Sequence, residues 1–132
     1  MAISATVRSL SILDDMTALT DVIHAAYAKR AANNLRYWAS HQTIDDTAGR
    51  VKSGHGLVAE AEGRIVGTLT VRPPKSDSEV ALYREPTTWT LCQFAVLPEF
   101  QGSGVGRRLH DAALEHAWSN GGRVIALAAC RA

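Results

Sequence analysis

Cysteine is scarce in this sequence: two in 132 residues, Cys92 and Cys130. They stand too far apart for a CxxC or similar ligand spacing, and two are too few for a disulfide framework. They read as reduced thiols inside a core. No charge sign dominates, since 14 Lys and Arg face 13 Asp and Glu. The two signs are interleaved, so bulk electrostatics recruits neither nucleic acid nor a membrane surface. No apolar run approaches the roughly 18–20 residues of a membrane-spanning helix. Met1 to Leu10 lacks the basic and apolar blocks of a secretory leader. The expectation is a soluble, cytoplasmic chain. There is no internal repeat and no low-complexity segment.

What is present suits one compact domain over residues 1–132, with 46% hydrophobic residues. A chain of this size buries roughly two-thirds of its unfolded surface. Ala5 to Leu10 reads as a strand. Met16, Leu19, Val22, Ile23, Ala26 and Tyr27 fall at helical spacing, and Ser11 with Asp14 offers a capping pair, so a helix is expected over Ile12 to Ala28. A polar connector over Arg30 to His41 carries Tyr37 and Trp38. Thr43 is the N-cap candidate of a second helix, with Asp45 and Asp46 in its first turn and Gly54 as its stop. Gly56 to Ala61 and Arg64 to Arg72 form a hairpin about Glu62-Gly63. Pro73-Pro74 opens a loop to Thr88, and long loops of this kind are often functional or disordered. Trp89 to Val96 is a strand, Val105 to about Asn120 a helix, and Arg123 to Ala128 a last strand. The order is β-α-α-β-β-β-α-β. The final strand–helix–strand unit implies a parallel pair, and the hairpins imply antiparallel neighbours. The fold class is therefore α/β (α+β), with a mixed, mostly antiparallel central sheet flanked by helices.

The segment from Gln101 to Gly106, Gln-Gly-Ser-Gly-Val-Gly, joins a strand to a helix start. N–H groups in a helix's first turn have no internal partner and lie at the positive end of its dipole, which makes a phosphate site. A Walker A loop is excluded, because no Lys-Ser or Lys-Thr follows the glycines. A dinucleotide fingerprint starting at Gly102 fails, because Arg107 stands at its third glycine. A third pattern, Q/R-x-x-G-x-G/A, matches at Gln101, Gly104 and Gly106.

With Val96, Pro98 and Phe100 before it and Leu109 after it, this stretch resembles the GNAT acyl-CoA N-acyltransferases. The strand around Arg64-Ile-Val-Gly-Thr and the element order resemble that family too. The resemblance implies an acetyl-CoA-dependent N-acetyltransferase in which an amine attacks the thioester directly, in a ternary complex. It implies a pyrophosphate bound by Gln101, Gly102, Ser103, Gly104, Val105, Gly106 and Arg107. It implies a pantetheine arm paired along Phe94, Ala95 and Val96 like an added strand. It implies that a backbone N–H near Val96 polarises the thioester carbonyl. Tyr37, Trp38 and Tyr83 are acceptor-site candidates, with the Pro73 to Thr88 loop as a flap.

Some members of that family place a glutamate on the fourth strand, and it has no counterpart among Thr90, Leu91, Cys92 and Gln93. Glu60, Glu79, Glu85, His41 and Tyr83 are base candidates by residue type only. Cys92 is not expected to be a nucleophile. His110 and His116 lack metal-ligand spacing, so no metal is expected. Relative to the family pattern the chain is short at its C-terminus, lacking a helix and two strands. That implies an uncovered edge strand, which a homodimer or partner segment would relieve. The alternative to an enzyme is a non-catalytic acyl-CoA-binding or regulatory module.

Overall fold

A computed structural model describes residues 5–11, 14, 16–32 and 42–127. Its elements are β1 (Thr6–Ser9), α1 (Met16–Ala32), α2 (Ile44–Lys52), β2 (His55–Ala61), β3 (Arg64–Arg72), α3 (Ala81–Arg84), β4 (Thr88–Val96), a 3-10 turn (Pro98–Phe100), α4 (Val105–Ser119) and β5 (Val124–Leu127). The five strands form one sheet in chain order. β1 to β4 pair antiparallel and β4 pairs parallel with β5. This is the mixed, mostly antiparallel sheet flanked by helices that the patterning implies.

Two apolar clusters cover the faces of the sheet. On one, α4 buries Val105, Leu109, Ala113 and Ala117, a stripe at four-residue intervals, in a cluster with Leu69, Val71, Leu91 and Val96. On the other, Val22 and Ile23 of α1 pack with Ala95. Leu91 and Val96 thus face α4, although side chains alternate along a strand. An odd and an even position share a face because β4 carries an extra residue. Thr70 pairs with Cys92 and Thr68 with Ala95, so three steps on β4 oppose two on β3. Gln93 within this bulge has φ 54°. The bulge inverts the parity of the strand and turns its second half over.

The second helix starts as expected. Thr43 accepts from the N–H of Asp46, and the Asp46 carboxylate accepts from the N–H of Thr43. The β2–β3 turn is of the primed type, with positive φ at Glu62 and Gly63. Three expectations need correction. The first helix begins at Met16 rather than Ile12 and runs to Ala32. Ser11 and Asp14 close a turn ahead of it: the Asp14 N–H donates to the Ser11 carbonyl, and the Asp14 carboxylate accepts from the Ser11 N–H and from Arg8. The Pro73 to Thr88 segment is not all loop. It contains α3 and gives its last residue to β4. Strand one is trimmed at both ends, and strand five begins at Val124 rather than Arg123, while Ala128 lies outside the described residues.

Candidate functional site: a cleft beside an open strand edge

Among the described residues, β4 pairs with β5 only from Thr88 to Leu91. Beyond Leu91 no described residue pairs with β4 on that side. The N–H of Leu97 donates to the Val66 carbonyl at 2.9 Å, and Val96 stands opposite Gly67. Bonding alternates along an antiparallel pair, so Ala95 and Leu97 turn their amides to β3, while Phe94 and Val96 turn theirs to the open side. Side chains cap the two open carbonyls. The Tyr27 hydroxyl donates to Phe94 O at 3.1 Å, and Gln101 Nε2 donates to Val96 O at 3.1 Å. The Phe94 and Val96 N–H groups remain as outward donors.

A cleft of about 350 Å³ lies along this edge, lined by Tyr27 of α1, by Phe94, Ala95 and Val96, and by Gln101, Gly102 and Gly106 of the glycine loop. The strand edge and the loop, separate predictions from the sequence, thus form one cavity wall. Ser103, Gly104, Val105 and Arg107 adjoin that wall in sequence without lining it. Gly104 caps α4 with φ 91° and Gly102 has φ 80°. Both conformations disfavour a side chain, and a Cβ at either position would meet no atom within 4 Å. The first helical bond of α4 runs from Arg108 N–H to Gly104 O. The N–H groups of Val105, Gly106 and Arg107 therefore precede the helical ladder. The Val105 side chain is buried in the core, so only its backbone is offered. Arg107 is exposed. Arg108 turns away and donates to the Ala5 carbonyl. A cradle of unpaired N–H groups with no side chain over it fits a pyrophosphate.

The GNAT acetyltransferase family model matches residues 17–132. The chain belongs to the GNAT acetyltransferase family. Two curated relatives, both from Bacillus subtilis, are an S-alkylcysteine N-acetyltransferase, 25% identical, and an S-(2-succino)cysteine N-acetyltransferase, 28% identical, each over 100 residues. Those matches cover 76% of this chain but 54% and 58% of the relatives, so the chain spans little more than half their length. A GNAT family acetyltransferase from Brucella melitensis, solved in complex with acetyl-CoA, superposes with TM-score 0.72 and 25% identity, covering 94% of this chain and 75% of that one.

The remaining candidates are scattered. Tyr37, Trp38 and His41 lie outside the described residues. Tyr83 does not reach the α1–α4 cleft. It lines a second cleft of about 380 Å³ near the other end of β4, with Thr90 and Arg72. Glu60 is engaged by Arg8 at 3.2 Å, and Glu79 and Glu85 are exposed. Cys92 is buried. His116 stacks on His55 at 4.0 Å and meets the edge of Trp89. Burial and the neighbouring His55 hold its pKa below the ordinary value.

Sequence reasoning missed the buried polar chain behind the bulge. Gln42 Nε2 donates to Gln93 Oε1 at 2.7 Å and to Thr47 Oγ1 at 2.9 Å. Thr47 and Thr20 share a hydroxyl contact at 2.6 Å, and Gln93 Nε2 reaches Thr70. His24 meets the Gln42 carbonyl at 2.6 Å. This network ties α1 and α2 to the inverted half of β4. The only sign of it in the sequence is a Gln on a strand of otherwise apolar and Thr residues.

Proposed function

We propose that the chain is an acetyl-CoA-dependent N-acetyltransferase acting on a primary amine of a small molecule or peptide. The observation that carries this reading is the single cleft that joins an open strand edge to an unobstructed glycine loop. Acetyl-CoA supplies an acetyl group activated as a thioester. The loop from Gln101 to Arg107 binds the pyrophosphate through the backbone N–H groups of Val105, Gly106 and Arg107, since those of Gln101 and Ser103 donate to Pro98 O and Phe100 O. The Phe94 N–H pairs with the amide-bearing arm, and the Val96 N–H faces the thioester oxygen, a contact whose loss typically costs a few kcal/mol. The acceptor must be neutral to attack. β4 carries no carboxylate to take its proton, which passes to a base on another element or to a water chain. The names of the two relatives favour small amino-acid acceptors over proteins.

The test is acetyl transfer to a panel of amines, read by release of free CoA thiol and by mass of the product. An amine-dependent rise in both supports the reading. Acetyl-CoA binding with no product for any amine replaces it with a non-catalytic acyl-CoA-binding module.

A further inference from the structure

The second cleft, outside the acetyl-CoA cradle, has a chemistry of its own. Its lining includes Arg72, Lys75, Ser53, Ser78, Tyr83 and Thr90. Two cations and several hydroxyls therefore face one space, with no carboxylate among the lining residues. Neither Arg72 nor Lys75 has an ion pair or side-chain hydrogen bond with any described residue. The acidic residues of the flap, Asp77, Glu79 and Glu85, are exposed and lie outside the lining.

The cleft is built rather than incidental. A Cβ at Gly54 would fall 2.8 Å from Arg72 Cγ and would collide with the Val71 carbonyl, so the arginine stem lies where only glycine leaves room. The flap is folded onto itself: Lys75 N–H donates to Tyr83 O at 2.9 Å, and Arg84 Nη1 donates to Ser78 O at 2.7 Å. Thr90 is buried, stands opposite Arg72 in the β3–β4 register, and lies three residues before the bulge at Gln93. Thr90 lies on the strand that carries the outward N–H donors, about 13 Å along it from Phe94.

We propose that this cleft binds the carboxylate of the acceptor, and that the acceptor class is an amine bearing a carboxylate, as in an amino acid. Arg72 offers a planar fork suited to a carboxylate, and Lys75 adds a point charge. The proposal rests on the acetyltransferase reading above.

S-methyl-L-cysteine and its carboxamide serve as probes, with wild type, Arg72→Gln and Arg72→Lys. Under saturating acetyl-CoA, KM for the acid rises at least about 10-fold in Arg72→Gln, a change near 1.4 kcal/mol, and recovers in part in Arg72→Lys. KM for the carboxamide stays level. The stabilisation by acetyl-CoA is unchanged in both variants, which also shows that they fold. Isothermal titration of both probes into the CoA-loaded protein reads the same preference without turnover. Equal use of acid and carboxamide by wild type, or an equal loss for both in Arg72→Gln, overturns the proposal. So does the absence of any acid-selective binding by titration. Absence of acetyl-CoA stabilisation sinks the parent reading instead, and the two failures are distinguishable.

Discussion

Replacing Gly104 by alanine separates backbone strain from ligand binding. Gly104 has φ 91° and open space where a Cβ would point, so the substitution brings no collision. Its price in stability is backbone strain alone, about 1–2 kcal/mol. For 132 residues, an unfolding entropy of about 2.1 cal/mol/K per residue makes 1 kcal/mol equal to roughly 4 °C. The variant should therefore melt about 4–8 °C below wild type. Acetyl-CoA at about 100 times its Kd adds roughly 2.7 kcal/mol to wild type, a rise near 10 °C. The new methyl group occupies the space in front of the α4 N-terminus. A 100-fold loss of affinity there leaves about 0.4 kcal/mol, a rise of roughly 1–2 °C. The assay is a thermal-shift titration of both proteins at matched ligand concentration. Gly106→Ala is the control, because alanine is allowed at that point of the Q/R-x-x-G-x-G/A pattern and its Cβ meets Phe94 at an ordinary 3.5 Å. Equal ligand shifts in wild type and Gly104→Ala would refute the phosphate role of the loop. No shift in wild type would refute the cleft assignment itself.

Two further expectations concern stability. His116 has its pKa lowered in the fold, so the native state binds fewer protons than the unfolded one; stability is whole above the ordinary value of 6.5 and falls as pH drops through the folded value. Melting temperature measured from about pH 7 to pH 5 should decline in wild type and decline less in His116→Gln; parallel curves would show that the His55–His116 stack carries no such linkage. Thr47→Val keeps the shape of a fully buried side chain but removes the hydroxyl that joins Gln42 to Thr20. Urea denaturation should show a loss of about 1–3 kcal/mol, and a loss under about 0.5 kcal/mol would mean that the buried chain adds nothing net.

Much of this was legible because it depends on residues close in sequence. The Thr43–Asp46 cap, the Glu62-Gly63 turn and the glycine loop are local devices with local signatures. The parallel β4–β5 pair followed from a strand, a helix and a strand in succession. What was hidden depends on contacts far apart in the chain. Tyr27 reads as one more apolar residue on a helix face, yet its hydroxyl reaches Phe94, 67 positions away. The bulge at Gln93 interrupts a run that looks like an ordinary strand, and its support comes from Gln42, Thr47 and Thr70. The α3 turn has no periodicity of its own. It is closed by the Tyr83 N–H donating to Val80 O and by Lys75 pairing with the Tyr83 carbonyl. Arg72 looked like the end of a strand, and only the register with Thr90 places it in a cleft.

The two capped carbonyls of β4 change what binding at this edge amounts to. Tyr27 and Gln101 already act as placeholders on Phe94 O and Val96 O. An amide arm that takes over these acceptors performs an exchange: one hydrogen bond leaves for each that forms, and the count does not rise. Net gain along the edge then comes from the two N–H donors and from displaced water. A ligand that carries only the phosphate end leaves both placeholders seated. One that reaches the full length of the cleft releases them. Tyr27 and Gln101 are in that sense a depth gauge, and their resonances would report how far into the cleft a ligand extends.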